Sequence, residues 1–131
     1  MAGIIVGPAL APYTTTKHAV VGLTRTLHED LADNDKVGVS VLCPGLVQTN
    51  IIERDHLGLD LDESSIDQHE SAKNNAQWLA DGVKEGMTPE DLATIVFKKI
   101  ENDEFWILTH PEFVEVYSGY STELIESSTK E

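Results

Sequence analysis

Residues 37–43 read Val-Gly-Val-Ser-Val-Leu-Cys, an apolar run with β-branched valine at 37, 39 and 41 that Pro44-Gly45 stops abruptly. That length and that terminator make it a strand, since proline cannot continue a ladder and glycine permits a sharp exit. The strand follows a stretch of different period. Over residues 13–32, Ala19, Val20, Leu23, Leu27 and Leu31 recur at three- and four-residue steps. The spacing predicts a helix over about 12–33 with this stripe as its buried face, closed by the turn-forming Asp33-Asn34-Asp35. A helix leading into a near-continuously apolar strand predicts an α/β chain, with a parallel sheet covered on both faces and right-handed crossovers.

The remaining elements repeat the alternation. Met1 to Pro12 is apolar and punctuated by Gly3, Gly7, Pro8 and Pro12, which reads as a loop entering the helix. Residues 46–86 form an irregular, strongly acidic insertion of the kind expected of a lid, with short helices near 49–55 and 65–79. At Thr88-Pro89-Glu90-Asp91 a cap, a proline suited to a first turn and two acids announce a helix over about 88–102. A second strand is expected at 105–109, a final helix at about 111–124, and a frayed tail from Ser127 onward. Two parallel strands leave open sheet edges, so the pattern calls for further strands outside these residues.

Composition removes several function classes. A net charge of −14 with nine Lys and Arg disfavours nucleic-acid binding, because phosphate attraction needs clustered cations. The acidity reads as a solvated surface that favours solubility, ahead of an adaptation to high salt. The longest apolar runs, 3–6 and 37–43, fall far short of the roughly 20 residues that cross a bilayer. A single cysteine, Cys43, fits a reducing cytoplasmic setting and a buried, inert thiol. The five histidines, at 18, 28, 56, 69 and 110, lack metal-ligand spacing, so no metal site is expected. Trp78, Phe105 and Trp106 are expected in the core or an interface.

Tyr13 and Lys17 lie one helical turn apart and share a face. A free phenol has a pKa of about 10, and a neighbouring ammonium favours its phenolate, so such a pair can trade a proton with an alcohol or carbonyl oxygen. The spacing by itself is common, but its surroundings are specific. Residues 13–24 (YTTTKHAVVGLT) resemble the active-site helix of short-chain dehydrogenases/reductases. Residues 39–49 (VSVLCPGLVQT) are similar to that family's Pro-Gly turn and following Thr, and residues 105–112 (FWILTHPE) to the last strand of some branches.

The resemblance implies the C-terminal portion of a Rossmann-like doubly wound parallel sheet, with the N-terminal dinucleotide-binding half absent. Tyr13 would be the acid–base, and Lys17 its activator and the contact to the nicotinamide ribose. Pro44, Gly45 and Val47 would line the nicotinamide pocket, with Thr49 near the carboxamide or pyrophosphate. NAD or NADP would be the cofactor, and a small alcohol or carbonyl compound the substrate. The Gly-rich phosphate turn of such folds does not occur in these 131 residues, and the family's catalytic Ser would fall at or just before Met1. Met1 is therefore expected to be internal to a longer protein, and the isolated stretch to be inactive and to bind cofactor weakly. A homo-oligomer is implied, because the helices at Tyr13 and Thr88 and the strand at Phe105 match elements this family uses for subunit contacts. Two other readings remain open: a non-catalytic assembly module, and a truncated gene product.

Overall fold

The computed structural model describes residues 1–7, 10–51 and 70–129. Along the chain the elements are α1 (Ala11–Asp30), β1 (Val41–Cys43), α2 (Glu70–Lys84), α3 (Pro89–Glu101), β2 (Trp106–Leu108) and α4 (Phe113–Thr129). Among the described residues the sheet has two strands, β1 and β2, running parallel with Val41 opposite Trp106 and Cys43 opposite Leu108. The α/β class and the parallel pairing agree with the pattern read from the sequence.

The core sits between the strands and the helices that cover them. Val41, Cys43 and Phe105 are buried together, with Ile4, Val21 and Leu108 packed against them. Ile107, 1% exposed, points to the other face of the sheet, because successive side chains of a strand alternate. α1 lies against β1 and α3 against β2. Gly3 allows the N-terminal segment to press on α1, since a Cβ there would overlap Val21 and the Lys17 carbonyl.

The face that α1 turns to the sheet is not the expected one. Val21 packs on the core, His28 stacks on Phe105 at 4.5 Å, and Arg25 lies 5.1 Å above the Phe105 ring. Val20, Leu23 and Leu27 instead point outward, Leu23 being 63% exposed. At 3.6 residues per turn the two sets fall on nearly opposite sides of the helix. Periodicity found an apolar stripe, but the inward side was set by the aromatic surface of Phe105.

Boundaries shift as well. α1 ends at Asp30, three residues before the expected stop, and only Val41–Cys43 of the 37–43 run pairs in the sheet. Residues 49–51 are turn rather than helix, and 52–69, with the rest of the helix expected over 49–55, lie outside the described residues. Of the second expected helix, 65–69 also lie outside the described residues, and the chain is helical over Glu70–Lys84, five residues past the expected end. α4 runs to Thr129, so residues 127–129, expected to fray, are helical. There Ser127, Ser128 and Thr129 donate to carbonyls three residues back. Phe105 is buried, whereas Trp78 and Trp106 are 54% and 40% exposed.

Candidate active site

Because β1 and β2 are parallel, their carboxyl ends open on the same side, where doubly wound sheets bind ligands. β1 delivers Pro44-Gly45 there and β2 delivers Thr109-His110. A cleft of about 550 Å³ opens at this end. Its walls include Tyr13 and Lys17 from α1 and Pro44, Gly45, Val47 and Thr49 from the chain leaving β1. All six residues singled out in the sequence therefore line one cavity. Leu79 and Val83 of α2 and Leu92 of α3 complete it.

The Lys17 ammonium sits 5.3 Å from the Tyr13 ring centroid, within cation–π range. Tyr13 remains 42% exposed. The hydroxyls around it are mostly turned away, Thr15 donating to the Ala11 carbonyl at 2.8 Å and Thr16 to the Tyr13 carbonyl at 2.7 Å. Thr14 is the exception: its Oγ1 is buried without a hydrogen-bond partner among the described residues. It borders a second cleft of about 350 Å³, lined by Ile5, Leu10, Trp78 and Phe113, that shares Tyr13 and the Pro44-Gly45 turn with the first. Tyr13 thus stands on the wall shared by the two clefts, with the Lys17 ammonium lining the first.

The chain leaving β1 is fixed from two sides. The Gly45 N–H donates to His110 Nδ1 at 3.1 Å and to Thr109 Oγ1 at 3.3 Å. Farther on, Met87 N–H donates to the Leu46 carbonyl at 3.0 Å and Gln48 N–H to the Met87 carbonyl at 2.9 Å. Val47 is thereby bridged to the α2–α3 connection. Cys43 lies 3% exposed at the end of β1, and burial pushes its thiol up from the ordinary range, as suits an inert packing residue. Among the described residues no three His, Cys, Asp or Glu side chains converge as metal ligands.

Sequence reasoning missed Thr109, His110, Met87 and Val83 as parts of this site. A signal existed only for the first two, which directly follow a strand predicted to run parallel to the one ending in Pro-Gly. The cleft's size, the Lys17 ammonium and the backbone-lined turn suit the nicotinamide–ribose end of a dinucleotide, while a Gly-rich cradle for the pyrophosphate is not in the sequence.

Residues 1–58 match the family profile described as short chain dehydrogenase. Over 117 residues the chain is 31% identical to the CLA biosynthesis dehydrogenase/reductase of Lactiplantibacillus plantarum, covering 86% of this chain and 41% of that protein. Over 112 residues it is 30% identical to the 1-deoxy-11-beta-hydroxypentalenate dehydrogenase of Streptomyces exfoliatus, covering 86% of this chain and 33% of that one. A short chain dehydrogenase/reductase from Burkholderia phymatum, crystallised in complex with NAD, superposes with a TM-score of 0.78 at 32% identity. That superposition covers 94% of this chain and 45% of the crystallised one. The chain thus spans less than half the length of each of these relatives.

Proposed function

This chain belongs to the short-chain dehydrogenase/reductase family, and we propose that it supplies the acid–base end of an NAD(P)-dependent oxidoreductase site acting on an alcohol or carbonyl compound. The observation that carries the reading is the position of Tyr13, on the wall shared by the two clefts, with the Lys17 ammonium beside its ring.

In this reading the Tyr13 hydroxyl gives its proton to a carbonyl oxygen, or as phenolate takes one from an alcohol. Lys17 favours the phenolate electrostatically and offers its N–H donors to the ribose hydroxyls. Pro44, Gly45 and Val47 hold the nicotinamide through their backbone, and Thr49 reaches its carboxamide or the pyrophosphate. The bound nicotinamide would accept or supply the hydride that leaves or joins the substrate carbon. The apolar second cleft receives the substrate, and its lining favours an uncharged alcohol or ketone over an ionised one.

Binding by these residues alone is expected to be weak, with a dissociation constant in the millimolar range, since no Gly-rich turn holds the pyrophosphate. Titrating the 131-residue chain with NAD and NADP while recording amide resonances tests this. Shifts confined to residues 13–17 and 44–49 would support the reading. No shift at these positions, or shifts centred elsewhere, would refute it, and tight stoichiometric binding would refute the expected weakness. In an assembled enzyme, Tyr13→Phe should lower turnover by roughly 10²- to 10⁴-fold, the usual contribution of a positioned acid–base group, with cofactor affinity nearly unchanged.

A second reading, self-association, is favoured by the outward stripe of Val20, Leu23 and Leu27 on α1. Sedimentation over a hundredfold concentration range should show a larger species, and Leu23→Glu should abolish it. A monomer throughout would dispose of this reading.

A further inference from the structure

We infer that His110 is a positioning residue, whose Nδ1 lone pair holds the Pro44-Gly45 turn in the form that lines the cofactor cleft. The inference rests on the reading of that cleft as the nicotinamide site. Pro44 has no N–H, so Gly45 carries the first backbone donor after β1. That donor is directed not into the cleft but across to the end of β2, to His110 Nδ1 and Thr109 Oγ1. Thr109 Oγ1 and His110 Nδ1 are themselves 2.7 Å apart.

The three polar groups can satisfy one another in one arrangement. The Gly45 N–H is shared between two acceptors, the single Nδ1 lone pair at 3.1 Å and Thr109 Oγ1 at 3.3 Å. Nδ1 must then be unprotonated and the ring proton must sit on Nε2. The other tautomer would set an Nδ1–H against the Gly45 N–H, donor facing donor. Shape imposes a matching demand, because any Cβ on residue 45 would overlap the imidazole ring. The glycine of the Pro-Gly turn is thus required by the histidine seated against it, whatever the ligand needs.

His110 also reaches the other cleft. Its carbonyl accepts from the Phe113 N–H at 3.2 Å at the start of α4, and its ring lies 6.1 Å from that of Phe113, which lines the second cleft. His110 therefore links the turn shared by both clefts with the Phe113 wall of the second. Displacing a binding wall by an ångström is enough to damage a site built on backbone contacts.

Two substitutions separate the acceptor from the ring. His110→Phe keeps a planar ring and removes the acceptor, whereas His110→Asn removes the ring and places Oδ1 close to where Nδ1 lay. Nitrogen-15 resonances of the labelled, unsubstituted chain should show Nδ1 as the unprotonated nitrogen and a slowly exchanging Gly45 amide. In His110→Phe the Gly45 amide should exchange faster and the NAD dissociation constant should rise roughly 3- to 10-fold, the range expected for losing one neutral hydrogen bond. In His110→Asn both should stay within about twofold of the unsubstituted chain on the same argument. A protonated Nδ1, or Phe and Asn variants that behave alike, would overturn the inference. NAD binding beside a freely exchanging Gly45 amide would overturn it while leaving the cofactor reading intact. A protected Gly45 amide in a chain blind to NAD would uphold the latch and remove that reading instead.

Discussion

α1 and α3 are helices of similar role in the layer order, each lying on one strand, yet their local chemistry differs sharply. α3 is closed at both ends by its own neighbours. Thr88 Oγ1 accepts from the Asp91 N–H at 3.1 Å, and Pro89 occupies the first turn. At the other end Asp103 takes a left-handed φ of 53°, so that its N–H reaches the Ile100 carbonyl and the Glu104 N–H reaches that of Lys99, each at 3.0 Å. This is the paired hydrogen-bond pattern that satisfies the last carbonyls of a helix. α1 has Leu10 at its N-cap with no side-chain hydrogen bond, buries the Thr14 hydroxyl without a partner among the described residues and leaves an apolar stripe outward. It is nonetheless α1 that carries Tyr13 and Lys17. The helix that local rules complete lends Leu92 to one cleft, and the one they leave incomplete carries Tyr13 and Lys17, where departures from those rules are expected.

The sharpest way to break this contrast is to delete equal volumes on its two sides. Ile107→Ala, under α3, should cost about 2–4 kcal/mol in chemical denaturation, as large-to-small changes in a packed core do. Leu23→Ala, on the outward side of α1, should stay within about 0.5 kcal/mol for dilute protein. Comparable losses would mean that the α1 stripe is covered in solution. Next in size is the cap. Thr88→Ala should destabilise by about 1 kcal/mol, and a negligible change would show that α3 owes its start to packing instead. At Thr14 the sign reverses: Thr14→Val should raise stability by up to about 1 kcal/mol, because it removes a buried hydroxyl without a partner among the described residues. A loss there would reveal a partner for that hydroxyl.

The smallest effect is a pH dependence at the end of α3. A hydrogen bond from Lys99 holds the exposed Glu104 carboxyl below the usual carboxylate range. Because its folded pKa is lowered, its contribution is complete above the ordinary value near 4.3 and fades as pH falls through the folded one. Melting temperatures from pH 6 to pH 3 should therefore fall slightly less steeply in Lys99→Met. Identical profiles would mean that this exposed pair contributes nothing measurable.

The sequence by itself determined every element whose signal is local. The strand's end at Pro44-Gly45, the Thr88 cap and the α/β alternation depend on neighbours along the chain, whereas the strand's start at Val41 instead of residue 37 does not follow from them. The stripe of Val20, Leu23 and Leu27 was equally visible, but a period of 3.6 says only that residues share a side. Which side turns inward depended on Phe105, more than seventy residues away. The site divides in the same way. Tyr13, Lys17 and the Pro44-Gly45 turn were legible because each motif is contiguous, whereas their meeting in one cleft required β1 and β2 to run parallel and open at the same end. His110 was legible only as the residue after a parallel strand, since nothing near it in sequence mentions Gly45. Only the folded sheet brings a hydrogen-bond acceptor from one strand end to the donor at the other, because contacts between distant segments are fixed by packing, which no local pattern encodes.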